Sequence, residues 1–363
     1  MNTVERALMY GLFIHLHHNI DRAIDFSVFK KLNETVGRES PGRLLIGPDA
    51  NDDAAVFQMP GDEGLVVAKM ESHCSPCVPR PYDSAATGAG GAMRDVVAMG
   101  ARPLFLLDFI GTRPLDEEVI VGPCGFKGKC TCGECKTMTS GDRVNLIVKG
   151  IRDMCETMGV YVVGGGLSTS FSDIVPAVVA SVIGRMVVDK PLTKPAKKAG
   201  DCLIIVGRTG NDGNDTLYRA GLAEVMRPAV ALFAEERTTM EASLAAIKTG
   251  LINACSDLGA AGIGAAVSES ARFGGLGAEV NLAKAPLNME GLTPEEILIC
   301  ETQGRMLFQV APENVDSVLE TIRAKGSPAA EIGKITKSRE AVFTFEDKEI
   351  ARIPHEPPAE LFK

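Results

Sequence analysis

Apolar and polar positions along this chain fall into short blocks whose period switches repeatedly between strand-like and helix-like. From Leu65 onward, the runs "LVVAKM", "PLFLLDF", "VYVVGGG" and "VPAVVASVIGRMV" are rich in β-branched residues and bounded by Gly or Pro, and they read as strands. Between the first two, "SAATGAGGAMRDVVAMG" reads as a glycine-led helix, and "VNLIVKGIRDMCETMG" as an amphipathic helix ending at Gly159. A charged, Pro-containing linker, "VVDKPLTKPAKKAGD", leads to a second half. There "DCLIIVGRTG" starts a strand, and "AAIKTGLINACSDLGAAGIGAAVSESARFGG" reads as paired helices around a glycine-rich turn. "RMLFQVAPENVDSVLETIRAKG" follows as strand, turn and helix, and "AAEIGKIT" as a closing strand. Strands and helices alternate in both halves, which predicts α/β (α+β) layering. The expected division is an N-terminal domain over residues 1–188, a C-terminal α/β domain over 189–345, and a tail over 346–363.

The first 45 residues look helical and polar, with His15 and His18 at i, i+3 spacing; an exposed helix surface explains that pair better than a metal site. The length of 363 residues exceeds what one core usually supports and agrees with two domains. A formal net charge of −9 argues against a nucleic-acid binder, which needs clustered Lys and Arg. No apolar run reaches the roughly 18 residues of a membrane span, and the start "MNTVERALMYGLF" lacks the pattern of a signal peptide. A cytoplasmic location is therefore expected, where ten cysteines call for a reason other than disulfides.

The acids supply the first chemical signal. "GPDANDDAAVF" clusters Asp49, Asp52 and Asp53 in a turn before a strand, an oxygen-rich setting that suits Mg²⁺; a solvated acidic turn is the alternative. Glu71 ends the strand "LVVAKM", and Asp95 lies on the helix after the glycines. Asp257 in "SDLGAAG" and Glu301 in "ETQGRM" offer similar settings in the second half. Acids at strand ends beside glycine-rich turns suit metal ions that hold nucleotide phosphates, and "ATGAGG" at 86–91 reads as such a turn. It is neither a Walker sequence nor a dinucleotide fingerprint.

The run "KMESHCSP", followed by "PYDSAATGAGGAMRDVVAMGARPLFLLD", resembles the active-site segment of the phosphoribosylformylglycinamidine synthase family, whose pattern is roughly ESHNHPS, then YQGAATGVGG, then RD(I/V)xAMGARP. "GRTGNDG", "SDLGAAGIGAAVSESARFGGLGAEV", "LTPEEILICETQGRM" and "EIGKIT" match further family segments in the same order, so the resemblance spans roughly residues 43–335. It implies a two-domain fold of the aminoimidazole ribonucleotide synthetase type, whose N-terminal domains pair into a β-barrel under C-terminal α/β domains. It also implies an ATP-dependent ligase that phosphorylates a carbonyl oxygen of a phosphorylated small molecule and displaces it with a nitrogen nucleophile. By position, Asp53, Glu71, Asp95 and Asp257 would hold Mg²⁺ and ATP, and Gly88, Gly90 and Gly91 would approach phosphate. His73 would be the catalytic residue, as general base or positioning group, and Glu301 and Gln303 would contact substrate.

The chain also departs from that pattern. HNHPS has become "HCSPC", which introduces Cys74 and Cys77, and Asp83-Ser84 replace the Gln-Gly before "AATG". The chain is about half a full synthase, whose two tandem copies form a pseudo-dimer, so a homodimer is expected, with an ammonia-donating partner. A sulfur-donating partner with a thiol relay, and a metal-bearing dimer that binds nucleotide without catalysis, are the alternatives. The largest departure is an insertion at about 122–138, "PCGFKGKCTCGECKTM". Cys124, Cys130, Cys132 and Cys135 follow C-x5-C-x-C-x2-C, which predicts a tetrahedral Zn²⁺ site or an iron–sulfur cluster.

Overall fold

The computed structural model describes residues 2–10, 12, 26–39, 42–47, 50, 52–62, 64–210 and 212–356. Asp49, His15 and His18 lie outside these residues. Two helices come first, α1 (Thr3–Tyr10) and α2 (Phe26–Glu39). Strands β1 (Arg43–Ile46), β2 (Ala55–Gln58) and β3 (Leu65–Ser72) then form an antiparallel meander. Helix α3 (Pro81–Ala98), β4 (Ala101–Gly111), the hairpin β5 (Glu118–Val121) and β6 (Lys136–Thr139), α4 (Ser140–Met158), β7 (Tyr161–Ser168) and β8 (Ala177–Met186) complete the first half. Its six-stranded sheet runs β1-β2-β3-β8-β4-β7, antiparallel except for the parallel β4–β7 pair.

The local chemistry explains these elements. Thr139 and Asp142 form a reciprocal capping box at the start of α4, and Gly159, left-handed at φ 68°, ends it. In β8, Val178, Ala180 and Val182 are buried at alternate positions under α3 and α4. Among the described residues no helix covers the opposite face of the sheet: Met70 is 70% exposed, Tyr161 73%, and Phe105, Leu107, Phe109 and Val163 are also open.

The second half is a seven-stranded sheet ordered β10-β12-β9-β13-β11-β14-β15. Its strands are β9 (Cys202–Val206), β10 (Ile252–Asp257), β11 (Gly277–Asn281), β12 (Met306–Val310), β13 (Ala329–Thr336), β14 (Glu340–Phe345) and β15 (Lys348–Pro354). The helices are α5 (Asp215–Arg219), α6 (Phe233–Ile247), α7 (Gly262–Phe273), α8 (Pro294–Ile299) and α9 (Val315–Ala324). Strand β9 is buried on both sides: Ile204 and Val206 join a core shared with α3, α4, α6 and α9, while Leu203 and Ile205 join α7 and α8.

Three expectations change. The segment read as paired helices contains β10, because "INACSD" pairs antiparallel with β12 between α6 and α7. "AAEIGKIT" does not close the sheet; β14 and β15 follow, so residues 348–354 of the expected tail are a paired strand. Helix α1 belongs with the C-terminal half, where Val4, Leu8 and Met9 are buried against α7 and β15 residues and Asn2 Nδ2 donates to the Ile350 carbonyl at 2.9 Å. Apolar burial, not sequence proximity, decides its place.

Helices α3 and α4 approach unusually closely at Gly150, where an added Cβ would lie 2.2 Å from the Tyr82 carbonyl oxygen. Gly150→Ala is expected to destabilise the protein by about 1–3 kcal/mol through overpacking, measured by urea unfolding. An unchanged midpoint would show that the two helices slide apart freely.

Candidate active site

Four elements bring carboxylates to one point. Asp53 precedes β2, Glu71 ends β3, Asp95 lies in α3, and Asp257 ends β10 of the other half. Oxygens of Asp53, Asp95 and Asp257 all lie within 4.8 Å of one another, a separation that suits shared ligation of one cation. Oδ2 of Asp53 is buried without a hydrogen-bond partner, so it is a free ligand atom in a buried site. The set therefore fits Mg²⁺, a hard cation that takes one or two carboxylates and keeps positions for phosphate oxygens and water.

Cations from three further positions balance this charge. Lys69 Nζ contacts Asp95 Oδ2 at 2.9 Å and donates to the Asp53 carbonyl at 2.8 Å. Lys194 Nζ reaches Asp53 Oδ1 at 2.5 Å and Glu269 Oε2 at 3.2 Å. Arg94, fully enclosed in α3, donates to Glu236 and to Gln303 Oε1, with Asp257 Oδ2 at 3.4 Å from its Nε. Burial works against the Lys69 charge, but Asp95, Glu71 and Asp53 raise its pKa on balance. Burial also drives Asp95 well above the usual carboxylate range, with Lys69 opposing. Asp257 is pushed up to about 6 by burial, with Arg94 opposing and Asp53 and Glu71 adding repulsion. Asp52, beside the site, also rises to about 6 through burial and the neighbouring Asp53.

His73 follows β3, two residues beyond Glu71, and its Nδ1 lies 2.5 Å from the Ser84 carbonyl oxygen. A carbonyl only accepts, so Nδ1 carries the proton and Nε2 is left as the basic nitrogen. Gly88, Gly90 and Gly91 do not form the expected turn. They lie inside α3, where backbone N–H groups are used by the helix, and so they do not offer amides to phosphate. Their purpose is close approach: added Cβ atoms would lie 2.6 Å from His73 Cβ, 2.4 Å from Glu236 Oε1 and 2.9 Å from Glu71 Oε2. Glu301 accepts from the backbone amides of Asp215, Thr216 and Ala261 at 2.9–3.1 Å, so it anchors a loop. Gln303 bridges Arg94 and the Glu301 carbonyl, beside a cleft of roughly 390 Å³ lined by Arg208, Asn288 and Ser327 among others.

Lys69, Arg94, Lys194 and Glu236 were not among the expected site residues. Lys194 lies in the segment read as a linker, which is stitched to both halves: Leu192 N donates to Met99 O, and Ala196 N to Ser270 O. The four cysteines of the insertion sit apart from the acids, together beyond the β5–β6 hairpin.

Acids converge on one point from both α/β halves, and the chain belongs to the AIR synthase related proteins. Residues 51–186 match the AIR synthase related protein N-terminal domain and 198–346 the C-terminal domain. Within that family it is similar to phosphoribosylformylglycinamidine synthase subunit PurL of Methanopyrus kandleri, at 38% identity over 323 residues, 86% of this chain and 41% of that protein. T. maritima PurL complexed with FGAR superposes with a TM-score of 0.71 at 27% identity, covering 89% of this chain and 49% of that one. T. maritima PurL complexed with ATP gives 0.66 at 28% identity, covering 86% and 47%. The chain thus spans less than half the length of these relatives. Among the described residues, no helix is long and apolar enough to cross a membrane.

The raised Asp257 carboxyl makes stability depend on pH. The folded protein keeps a proton there up to about 6, whereas an unfolded Asp releases it near about 4. That stabilisation is complete below pH about 4 and is lost as pH rises through about 6. Without divalent metal, wild type is expected to lose on the order of 2–3 kcal/mol relative to Asp257→Asn across this window, measured by urea unfolding at fixed ionic strength. A pH-independent difference between the two would refute the assignment.

Proposed function

We propose that this chain is the catalytic unit of an ATP-dependent synthase that phosphorylates an amide oxygen and lets a nitrogen nucleophile replace it. The observation that carries the reading is the convergence of Asp53, Asp95 and Asp257, from both halves, around an unpartnered buried oxygen. The names of its relatives, and the FGAR and ATP complexes of T. maritima PurL, support the same chemistry.

Asp53, Asp95 and Asp257, with Glu71 beside them, would hold Mg²⁺, which when bound neutralises charge on the transferring phosphate. Lys69 and Lys194 already lie against those acids and would shift between carboxylate and phosphate oxygens. The terminal phosphoryl group of ATP moves to the amide oxygen, ADP leaves, and ammonia attacks the activated carbon. The C–O bond then breaks, phosphate departs carrying the former amide oxygen, and the excess proton of the attacking nitrogen passes to Nε2 of His73. Phosphoryl transfer depends mostly on positioning and charge balance, which these residues supply. The cleft beside Gln303, with Arg208, Asn288 and Ser327, is the space for a phosphorylated substrate. Glu301 acts by holding the loop at Asp215–Thr216 in place.

Ammonia at the site calls for a donating partner protein. A sulfur relay is less well supported: Cys77 is fully buried, donates to the His73 carbonyl at 3.0 Å, and burial pushes its thiol far above the neutral range. The apolar face of the first sheet, open among the described residues, favours a homodimer through that face, the counterpart of a tandem arrangement in a longer chain.

The purified protein is expected to turn over ATP only when FGAR and an ammonium salt are both present. Asp95→Asn should abolish turnover, by at least about 100-fold, while unfolding remains cooperative near the wild-type midpoint. No turnover by wild type with either ammonia or sulfide would leave the nucleotide-binding scaffold as the better reading. Val163→Glu, on the open sheet face, is expected to convert a dimer to a monomer in light scattering; a wild-type monomer would overturn the pairing.

A further inference from the structure

We propose that Cys124, Cys130, Cys132 and Cys135 bind one zinc ion in a tetrahedral tetrathiolate site, and that this ion fixes an inserted loop against both halves of the molecule. The four sulfurs lie within 4.8 Å of one another, with Cys124–Cys132 at 3.3 Å, Cys132–Cys135 at 3.7 Å and Cys130–Cys132 at 4.0 Å. Four sulfurs at about 2.3 Å from one tetrahedral ion stand about 3.8 Å apart, which matches. A disulfide needs about 2.05 Å, and none of these pairs is that close. A four-iron cluster gives each thiolate its own iron and keeps the sulfurs wider apart, so the packing selects a single ion over a cluster.

The backbone is arranged around these sulfurs. Strands β5 and β6 pair through Val121 and Lys136, which delivers Cys124 and Cys135 side by side just past the hairpin's end. Gly122, at φ 135°, lets the chain pass where a Cβ would lie 2.9 Å from the Cys135 Cα. Three amides aim at sulfur: Cys124 N at Cys135 Sγ (3.3 Å), Glu134 N at Cys132 Sγ (3.4 Å) and Thr131 N at Cys124 Sγ (3.5 Å). Such N–H···S contacts disperse the charge of metal-bound thiolates. Lys127, Lys129 and Lys136 against Glu134 give the segment a positive balance that offsets a tetrathiolate centre carrying two negative charges.

The loop has almost nothing else to hold it. From Lys129 to Glu134 every residue is exposed, and a lone two-stranded hairpin is marginal in water. Yet it makes two specific contacts. Gly125 packs so tightly on Val78, just after the His73–Cys77 segment, that a Cβ would come within 2.5 Å of Val78 Cγ1. Phe126 meets Tyr218 of α5 with ring centroids 5.6 Å apart. Helix α5 is the one whose first amides Glu301 holds, so the loop spans from the His73 side to the Glu301 side.

The test is metal analysis of the full-length protein, purified without chelator. One zinc per chain is expected, lost in Cys132→Ser and Cys130→Ser. Cobalt replacement should give the intense visible bands of tetrahedral thiolate coordination. Stripping the zinc should open Lys127 and Lys129 to trypsin, and added zinc should close them again. Iron in place of zinc, a disulfide among the four after alkylation without reductant, or a protein that as purified holds no metal and titrates with all four thiols free would each overturn the proposal. So would cleavage unaffected by zinc, since the ion would then not hold the loop. None of these readouts depends on ATP turnover, so the synthase reading and the zinc site stand or fall separately.

Discussion

Everything in this molecule is arranged around a concentration of buried negative charge that is tolerable only because three cations are locked into it. Asp53, Glu71, Asp95, Glu236, Asp257 and Glu269 face Lys69, Arg94 and Lys194. At about 4 Å and an effective dielectric near 20, each unit pair is worth about 4 kcal/mol, attractive or repulsive. The acids come from both halves, so the halves close on each other only when the cations are seated. Arg94 is the strictest case, because a guanidinium without solvent must satisfy its donors, and it does so on α6, β10 and the loop before β12 together. The excess of carboxylate over cation that remains is the property a divalent ion would complete.

The same balance explains the path of the connection between the halves. A segment of Lys, Pro and Val would ordinarily be a solvated tether. Here Lys194 must reach Asp53 and Glu269, and its backbone amide donates to Asp52 at 3.0 Å, so the segment is pinned along the domain seam. The two halves thereby act as one rigid support for a site to which each contributes. On the other side of the first sheet the described residues leave a broad apolar face open.

Much of this was legible beforehand, for identifiable reasons. The strands of the first sheet were readable because β-branched runs end at Gly or Pro, and Asp53, Asp95 and Asp257 because their motifs are distinctive. The glycines of α3 misled, because three in six residues ordinarily mean a turn; only the neighbouring His73, Glu71 and Glu236 show that bare backbone is needed on a helix. Lys69, Lys194 and Glu236 carried no signal, since a lone charge on a strand, linker or helix usually faces solvent. Strand β10 was hidden because its short run lies between small-residue helices, and α1 because its partner β15 lies at the far end of the chain.

Those three glycines have a consequence for how the protein assembles. Each weakens a helix by roughly 0.5–1 kcal/mol relative to alanine, so α3 has little tendency to coil on its own. It becomes a helix because Glu71, His73 and Glu236 close over its bare flank. Secondary structure there is thus an outcome of tertiary closure, and the amide protons of α3 would exchange with solvent at a rate that reports how firmly the two halves are shut.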